Sequence, residues 1–401
     1  MAGGPLEGIR IIDLTSVVVG PLATQILADQ GADVIKVESP VGDIGRALGG
    51  RGRHPGMSPK FLHLNRNKRS IVLDLKRAAA REAIARLVAG SDVLLWNVRP
   101  ASIERLGLDY PRARLLNPRL IHCGMFGFDQ RGRYRDRPAY DSIIQGVAGV
   151  AALHERVSGT PRYVPYVMAD RTVGLIAVQM IVMALFRRER SGIGEAIEIP
   201  MFENMVTQVL TEHMYQASFE PPIGGYGDPR VLDPENRPIA TRDGFVCISA
   251  NTDAQAHALF RAIGRPELTE DPRFATVAAR FANVQVYFAI RGEALAQKTS
   301  AQWLALFDEL DIPAAPYHRL ESLRDDPHLQ DVGLLRTVEH PSEGTLWNIE
   351  PANTLSGGSR TDWRGAPRLG EHTREVLHEA GLSGEEIDAL LASGAAVAGE
   401  T

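Results

Sequence analysis

The sequence predicts an α/β protein built on a Rossmann-like parallel sheet, and three observations near its start carry that prediction. Residues 9–14, Ile-Arg-Ile-Ile-Asp-Leu, are a short apolar run suited to a strand buried on both faces. Gly20-Pro21 opens a helical pattern over residues 22–30, which Gly31 closes. Residues 34–38, Val-Ile-Lys-Val-Glu, form a second strand. Strand, helix and strand within roughly thirty residues is the repeating unit of a parallel sheet. A dinucleotide fold would place G-x-G-x-x-G after the first strand. Residues 15–21 read Thr-Ser-Val-Val-Val-Gly-Pro instead, so nicotinamide chemistry is not supported.

The pattern continues down the chain. Residues 42–60, rich in Gly, Arg and Pro, read as a loop, and residues 65–70 read as a dense basic turn. A strand is expected over 71–76, a helix over 78–88, and a strand over 92–96 that runs into Asn97-Val98-Arg99, with Arg105 one short turn later. Ligands of open α/β sheets bind beyond the carboxyl ends of the strands. Lys36, Lys76 and Arg99 fall at such ends, and cationic donors suit phosphate oxygens. Further strands are expected over 120–124 and 195–199, and a helix over 139–146 followed by small residues.

Residues 166–200 hold one acid, Asp170, directly before a long apolar segment. Between Val173 and Phe186 only Gly174 and Gln179 interrupt it, so the helix is expected to be buried all round, and the run is short of the roughly 20 residues that span a membrane. Ser191-Gly192-Ile193-Gly194 turns the chain. Asp170 at the helix mouth has two readings. It is an N-cap, as Asp often is, or it is a carboxylate nucleophile able to form a mixed anhydride with an acyl group.

After about Phe219 the composition shifts. Residues 220–238 are rich in Pro and Gly and read as a crossing linker or exposed loop. Residues 239–250 suggest a hairpin about Asp243-Gly244, helices fill 253–310 with Trp303 and Phe307 in their core, and 312–316 is extended. Residues 368–391 read as a turn and amphipathic helices, and the small-residue tail after Ser393 as disordered.

Composition narrows the function. With 401 residues, two domains are the default. A net charge of −5 makes no electrostatic case for nucleic acid or an anionic membrane. Cys123 and Cys247 stand apart with no CxxC, and the eleven His show no HExxH spacing, so neither a disulfide framework nor a metal site is expected. The first residues have no basic and apolar leader pattern, and the expected location is cytoplasmic.

Several stretches, taken in order, resemble the family III CoA-transferases, the CaiB/BaiF group with carnitine and formate CoA-transferases. They are residues 6–15, 20–24, 27–38, 65–70, 73–76, 105–108 and 369–373, the last reading Leu-Gly-Glu-His-Thr. The resemblance implies a large Rossmann-like domain built from both termini (1–219 and 331–401), a linker (220–238), a smaller inserted α+β domain (239–330), and a homodimer of interlocked chains. It places the family's catalytic acid on Asp170. It places coenzyme A contacts on Val18, Leu73, Lys76, Asn97, Val98, Arg99 and Arg105, with Asp170 also meeting CoA. Tyr140 and Tyr166 would shape the substrate pocket. The substrates would be an acyl-CoA thioester and a small carboxylic acid, with no permanently bound cofactor. Where some members carry a cation after the second strand, this chain has Ser39. Backbone N–H groups over 146–149 are the expected oxyanion donors. Two alternatives stand beside this reading, the first of which shares the fold. One is an α-methylacyl-CoA racemase, whose His–Asp pair is replaced here by Tyr140-Asp141; tyrosine, with a pKa near 10, is a poor base at neutral pH. The other is a CoA-binding protein without catalysis.

Overall fold

The computed structural model describes residues 4–356 and 363–399. In chain order the elements are β1 (Arg10–Leu14), α1 (Val19–Asp29), β2 (Asp33–Glu38), α2 (Pro59–Asn65), β3 (Lys68–Leu73), α3 (Ala78–Ala89), β4 (Val93–Trp96), α4 (Pro100–Arg105), α5 (Tyr110–Leu116), β5 (Ile121–Phe126), α6 (Asp141–Val147) and α7 (Val150–Ser158). They continue with α8 (Met168–Ser191), β6 (Ala196–Pro200), α9 (Met201–His213), β7 (Ile239–Ala240), β8 (Phe245–Ile248), α10 (Asp253–Ala262), α11 (Val277–Ala282), α12 (Val284–Leu295), α13 (Ser300–Glu309), β9 (Ala314–Pro316) and α14 (Pro327–Asp331). The last are β10 (Leu335–His340), β11 (Gly344–Ile349), α15 (Thr373–Glu379), α16 (Gly384–Ala392) and β12 (Ala396–Val397). The chain divides into two compact units, one drawn from Met1–Ala148, Val164–Thr207 and Val332–Thr401, the other from Gly149–Tyr163 and Gln208–Asp331.

The first unit is a seven-stranded sheet in the order β12-β3-β2-β1-β4-β5-β6. Strands β1 to β6 run parallel, and β12 closes the edge antiparallel to β3. Because the central strands are covered on both faces, alternate residues enter different environments. Ile12, Ile35, Ile71, Leu73, Leu94 and Trp96 pack with α3, α15 and α16 in one apolar core. The opposite face buries charge. Asp13 lies opposite Lys36 in register, and both are fully buried.

That buried charge is paired throughout. Asp13 accepts hydrogen bonds from the Thr24 hydroxyl (2.7 Å), the Thr15 N–H (2.9 Å) and the Lys68 ammonium (3.2 Å). Lys36 Nζ sits 2.8 Å from Asp43 and donates to the Thr15 carbonyl at 2.8 Å. Arg46 grips Glu38 through two bonds of 2.7 Å, and the Ser70 hydroxyl donates to the same carboxylate. Burial opposes the charge on Asp13, but Lys68 and Lys36 hold its pKa below the usual carboxylate range.

Three expectations change here. Lys36 is an internal residue of β2 with no exposed surface, so it is not a phosphate donor at a strand end. The basic stretch 65–70 is not a solvated turn. Only Asn67, with φ +62°, turns the chain, while Lys68, Arg69 and Ser70 begin β3 and are buried. Arg69 is held there by Asp33, Glu375 and Glu379. The tail after Ser393 is ordered through Gly399. Ala395 and Ala396 are buried, and Gly399 donates to the Gly370 carbonyl at 2.9 Å. Residues 400–401 lie outside the described residues.

The second unit contains a three-stranded antiparallel sheet, β7-β8-β9, with the expected hairpin between Ala240 and Phe245. Trp303 and Phe307 stack at 5.3 Å in its core, and the Trp303 indole donates to the Leu295 carbonyl.

The C-terminal strand generates a prediction. Truncation after Ser393 removes the bonds Asp74 N–H to Ala395 (2.9 Å), Thr373 hydroxyl to Val397 (2.7 Å) and Gly399 N–H to Gly370 (2.9 Å). At about 1 kcal/mol each, the loss is about 3 kcal/mol. The urea midpoint should fall accordingly; an unchanged midpoint would mean the tail adds nothing to the fold.

Candidate active site

Helix α8 carries the candidate nucleophile. Its buried residues Asp170, Val173, Gly174, Ala177, Ile181, Ala184, Leu185 and Arg188 form one stripe at helical spacing. Asp170 is therefore on the inward face, 9% exposed. The helix is not buried all round. Leu175, Met180, Val182, Met183 and Phe186 are exposed, so the apolar composition covers an outward face as well. At 24 residues the helix is also long and apolar enough to cross a membrane by length and composition, which the 14-residue apolar run had not suggested. In the fold its inward stripe packs on α1. A Cβ at Gly174 would stand 2.9 Å from the Val19 carbonyl oxygen, so only glycine permits this approach, one turn beyond Asp170.

Asp170 is not an N-cap. Val167 holds that position, and Asp170 is the third residue of the helix. Its own N–H, one of the orphan donors of a helix start, goes to Asp141 Oδ1 at 3.1 Å. Asp141 Oδ2 in turn accepts from Gln145 Nε2 at 2.7 Å. The same Gln145 accepts the Val164 N–H (2.9 Å) and donates to the Tyr166 carbonyl (3.3 Å). One i, i+4 pair on α6 thus fixes the segment that leads into α8.

The Asp170 carboxylate itself receives no hydrogen bond or ion pair among the described residues. Burial, then the neighbouring Asp141 charge, push its pKa up to about 7 against the weaker pull of Lys60 and Arg171. Desolvation and the Asp141 charge therefore outweigh the two cations, a balance that sequence could not set.

The expected CoA residues lie along the carboxyl edge of the sheet. Strand β1 pairs with β2 on one side and β4 on the other, so the strand order reverses between β1 and β4. Crevices at such switch points are the ligand sites of open α/β sheets. The loops after β1 and β4 meet there through Asn97, whose carboxamide accepts the Ser16 N–H (3.0 Å) and donates to the Ser16 carbonyl (2.9 Å). This holds Ser16, two residues before Val18, against Asn97, which Val98 and Arg99 follow; Val18 itself packs with Leu22 and Leu64. Arg99 is exposed after β4 and Lys76 is exposed after β3, neither with an ion-pair partner among the described residues. Three strand spacings, about 14 Å, separate the two strand ends. Arg105 is exposed on α4 and bonds Ser102. Leu73 is different: its side chain belongs to the apolar core, the residue is 1% exposed, and its carbonyl accepts the Leu75 N–H at 3.1 Å. Tyr140 (70% exposed) and Tyr166 (52% exposed) flank Asp141 and α8 with open rings. Of the expected oxyanion donors over 146–149, the Ala148 N–H is already given to the Ile144 carbonyl.

Sequence reasoning missed Lys60, Gln145 and the strain at Val17, and it saw Asp141 only as the neighbour of Tyr140. Val17 has φ +72°, a conformation that costs a β-branched residue on the order of 1–3 kcal/mol. Asp43 Oδ1 holds it by accepting its N–H at 3.1 Å. The Asp141–Gln145 spacing was a legible signal; Lys60 had none. No group of three His, Cys, Asp or Glu suited to a metal occurs among the described residues.

The raised pKa of Asp170 makes stability depend on pH in a stated direction. Between the unfolded value near 3.8 and about 7 the folded state holds the extra proton, so folding weakens as pH rises through that window. Asp170→Asn removes the penalty. Relative to wild type, the variant should gain on the order of 4 kcal/mol between pH 4 and pH 8 in urea unfolding. A difference independent of pH would show that Asp170 is not desolvated.

The family model described as CoA-transferase family III matches residues 6–373. The chain is 35% identical over 384 residues to a succinate–glutarate CoA-transferase of Agrobacterium fabrum, covering 94% of this chain and 95% of the relative. It is 32% identical over 395 residues to a succinyl-CoA–D-citramalate CoA-transferase of Chloroflexus aurantiacus, covering 97% of each. Among solved structures, a CaiB/BaiF family protein from Brucella suis superposes with a TM-score of 0.79 at 30% identity, covering 94% of this chain and all of that one. The chain belongs to CoA-transferase family III.

Proposed function

We propose that the protein moves coenzyme A from an acyl-CoA thioester to a free carboxylic acid through a mixed anhydride on Asp170. The observation that carries this reading is a carboxylate only 9% exposed that accepts no hydrogen bond among the described residues, its pKa raised by burial, one turn before the glycine that seats α8 against α1. A structural carboxylate at that depth is normally paired.

The chemistry follows from atom balance. Asp170 attacks the thioester carbonyl, the C–S bond breaks, and CoA leaves as thiolate. The thiolate then attacks the aspartyl carbonyl of the anhydride, which releases the first acid and leaves an aspartyl thioester. The second acid's carboxylate displaces the thiolate to give a new anhydride, and the thiolate takes the new acyl group. Each intermediate is open to hydrolysis, which gives a physical reason to bury the acid. Lys76, Arg99 and Arg105 would meet the CoA phosphates, with Val18, Leu73, Asn97 and Val98 along its path and Tyr140 and Tyr166 at the acyl end. The racemase reading is weaker, because Tyr140 is an open, weakly basic phenol and the relatives above are named as transferases.

The same reading extends to assembly. The outward face of α8, with Leu175, Val182, Met183 and Phe186 exposed on one side, supports a homodimer in which a second copy covers it. The inserted smaller domain, its linker over 220–238 and the interlocked arrangement belong to this proposal, as does a cytoplasmic location.

The test is transfer of CoA from succinyl-CoA to a panel of free acids. Asp170→Ala and Asp170→Asn should each lower kcat by at least a thousandfold while folding normally, since neither side chain is a carboxylate nucleophile. Full activity in either variant would remove the mechanism.

A further inference from the structure

Asp170 and its nearest acid compete for one N–H group. Asp170 is the third residue of α8, after Val167 as N-cap, and Val167 offers the helix no side-chain acceptor. An acid at that position commonly folds its carboxylate back onto the unbonded N–H groups of the first turn, where the helix dipole also favours an anion. Such a carboxylate is paired and low in pKa. Asp170 does not do this. Its own N–H goes to Asp141 Oδ1 at 3.1 Å, the one side-chain acceptor on the first turn of α8 among the described residues.

Gln145 keeps Asp141 there. It is 1% exposed and lies one turn along α6 from Asp141. Its Nε2 donates to Asp141 Oδ2 (2.7 Å) and to the Tyr166 carbonyl (3.3 Å), and its Oε1 accepts the Val164 N–H (2.9 Å). A flipped amide would oppose like groups at all three contacts, so a single orientation is allowed. The Tyr166 carbonyl also accepts the Met168 N–H at 2.7 Å. One buried carboxamide therefore joins the acid, the approach to α8 and the helix start.

A like charge fixed beside a desolvated carboxylate is unfavourable in itself. We infer that Gln145 is a positioning residue for Asp170: it holds Asp141 on the N–H that the Asp170 carboxylate would otherwise accept, and so leaves that carboxylate unpaired. Within the transferase reading, on which this consequence rests, Gln145 thereby acts on the attack at the thioester. The competition for the N–H stands apart from that reading. The charged groups that face the Asp170 carboxylate are Asp141 from α6, Lys60 from α2 and Arg171 from α8 itself. With Asp141 displaced, the two cations and the helix start remain, and all of them favour the anion. Ionised Asp170 is the nucleophile, so acylation rises with pH through its titration and then levels. Loss of Gln145 moves that rise to lower pH and lowers the plateau, because the carboxylate is then hydrogen-bonded.

The test compares full-length wild type, Gln145→Met, Asp141→Ala and the double variant. Hydroxamate formation on Asp170 with succinyl-CoA and hydroxylamine is timed across the pH range. The Asp170 titration is read separately, without substrate, by infrared difference spectroscopy of protein carrying isotope-labelled aspartate, with Asp170→Asn as the blank. In each single variant the rise and the titration should both move down by about one unit or more, and the plateau should fall about tenfold or more. Unchanged affinity for CoA checks that the variants are folded. The double variant should match Asp141→Ala, since Gln145 acts through Asp141. Hydroxamate on Asp170 with the rise unshifted in Gln145→Met, or a double variant shifted further than Asp141→Ala, overturns the inference and leaves the transferase reading standing. A titration that moves with Gln145, in a protein whose wild type forms no hydroxamate, would refute the transferase reading and leave Gln145 as the residue that positions Asp141 against Asp170.

Discussion

The buried charge network beneath α1 is the constraint on which the site depends. Asp13, Lys36, Lys68 and Asp43 are all deep inside the first unit, and none is there without a partner. Buried pairs of this kind contribute little net stability, but removing one partner is costly, typically about 3–5 kcal/mol. What they do here is hold backbone. Asp13 takes the Thr15 N–H, Lys36 takes the Thr15 carbonyl, Asn97 takes both polar groups of Ser16, and Asp43 takes the N–H of Val17. Four side chains from four strands and loops thereby pin one turn at the switch point. Val17 is kept at a positive φ by them, and Val18 starts α1 beside it.

From that turn the order passes to α8. Gly174 seats the helix against the Val19 carbonyl, and Asp141 with Gln145 fixes its first turn from the other side. Asp170 is thus placed by two independent restraints, neither of which touches its carboxylate. A carboxylate left unpaired at this depth is unstable as an anion, and a raised pKa is the consequence. In the proposed chemistry the same desolvation would keep the anion reactive and shield an anhydride from water, so that the stability penalty and the proposed reaction would have one origin.

What sequence reasoning could see was local. The strand–helix–strand rhythm, the helix after Asp170, the loop cations Lys76 and Arg99 and the hairpin about Asp243-Gly244 all declare themselves within a window of a few residues. What it could not see was register. Lys36 looks like a strand-end cation until β1 and β2 are aligned, when Asp13 falls opposite it. The 65–70 stretch looks like a solvated basic turn until Asp33, Glu375 and Glu379 are brought to Arg69. The two-residue β12 has no pattern of its own and exists because β3 needs an edge partner. An apolar helix does not reveal which of its faces the same fold covers, and α8 was misread for that reason. Lys60 was invisible because a lone lysine after a proline carries no signal until its helix is packed.

The central claim is that Asp170 becomes covalently acylated. It is tested most directly by incubating the protein with succinyl-CoA and hydroxylamine and mapping the peptides by mass spectrometry. The account predicts a hydroxamate on Asp170 alone, appearing in step with loss of activity and absent when the acyl-CoA is omitted. Sustained transfer with Asp170 unmodified, or a hydroxamate on a different carboxylate, would contradict it.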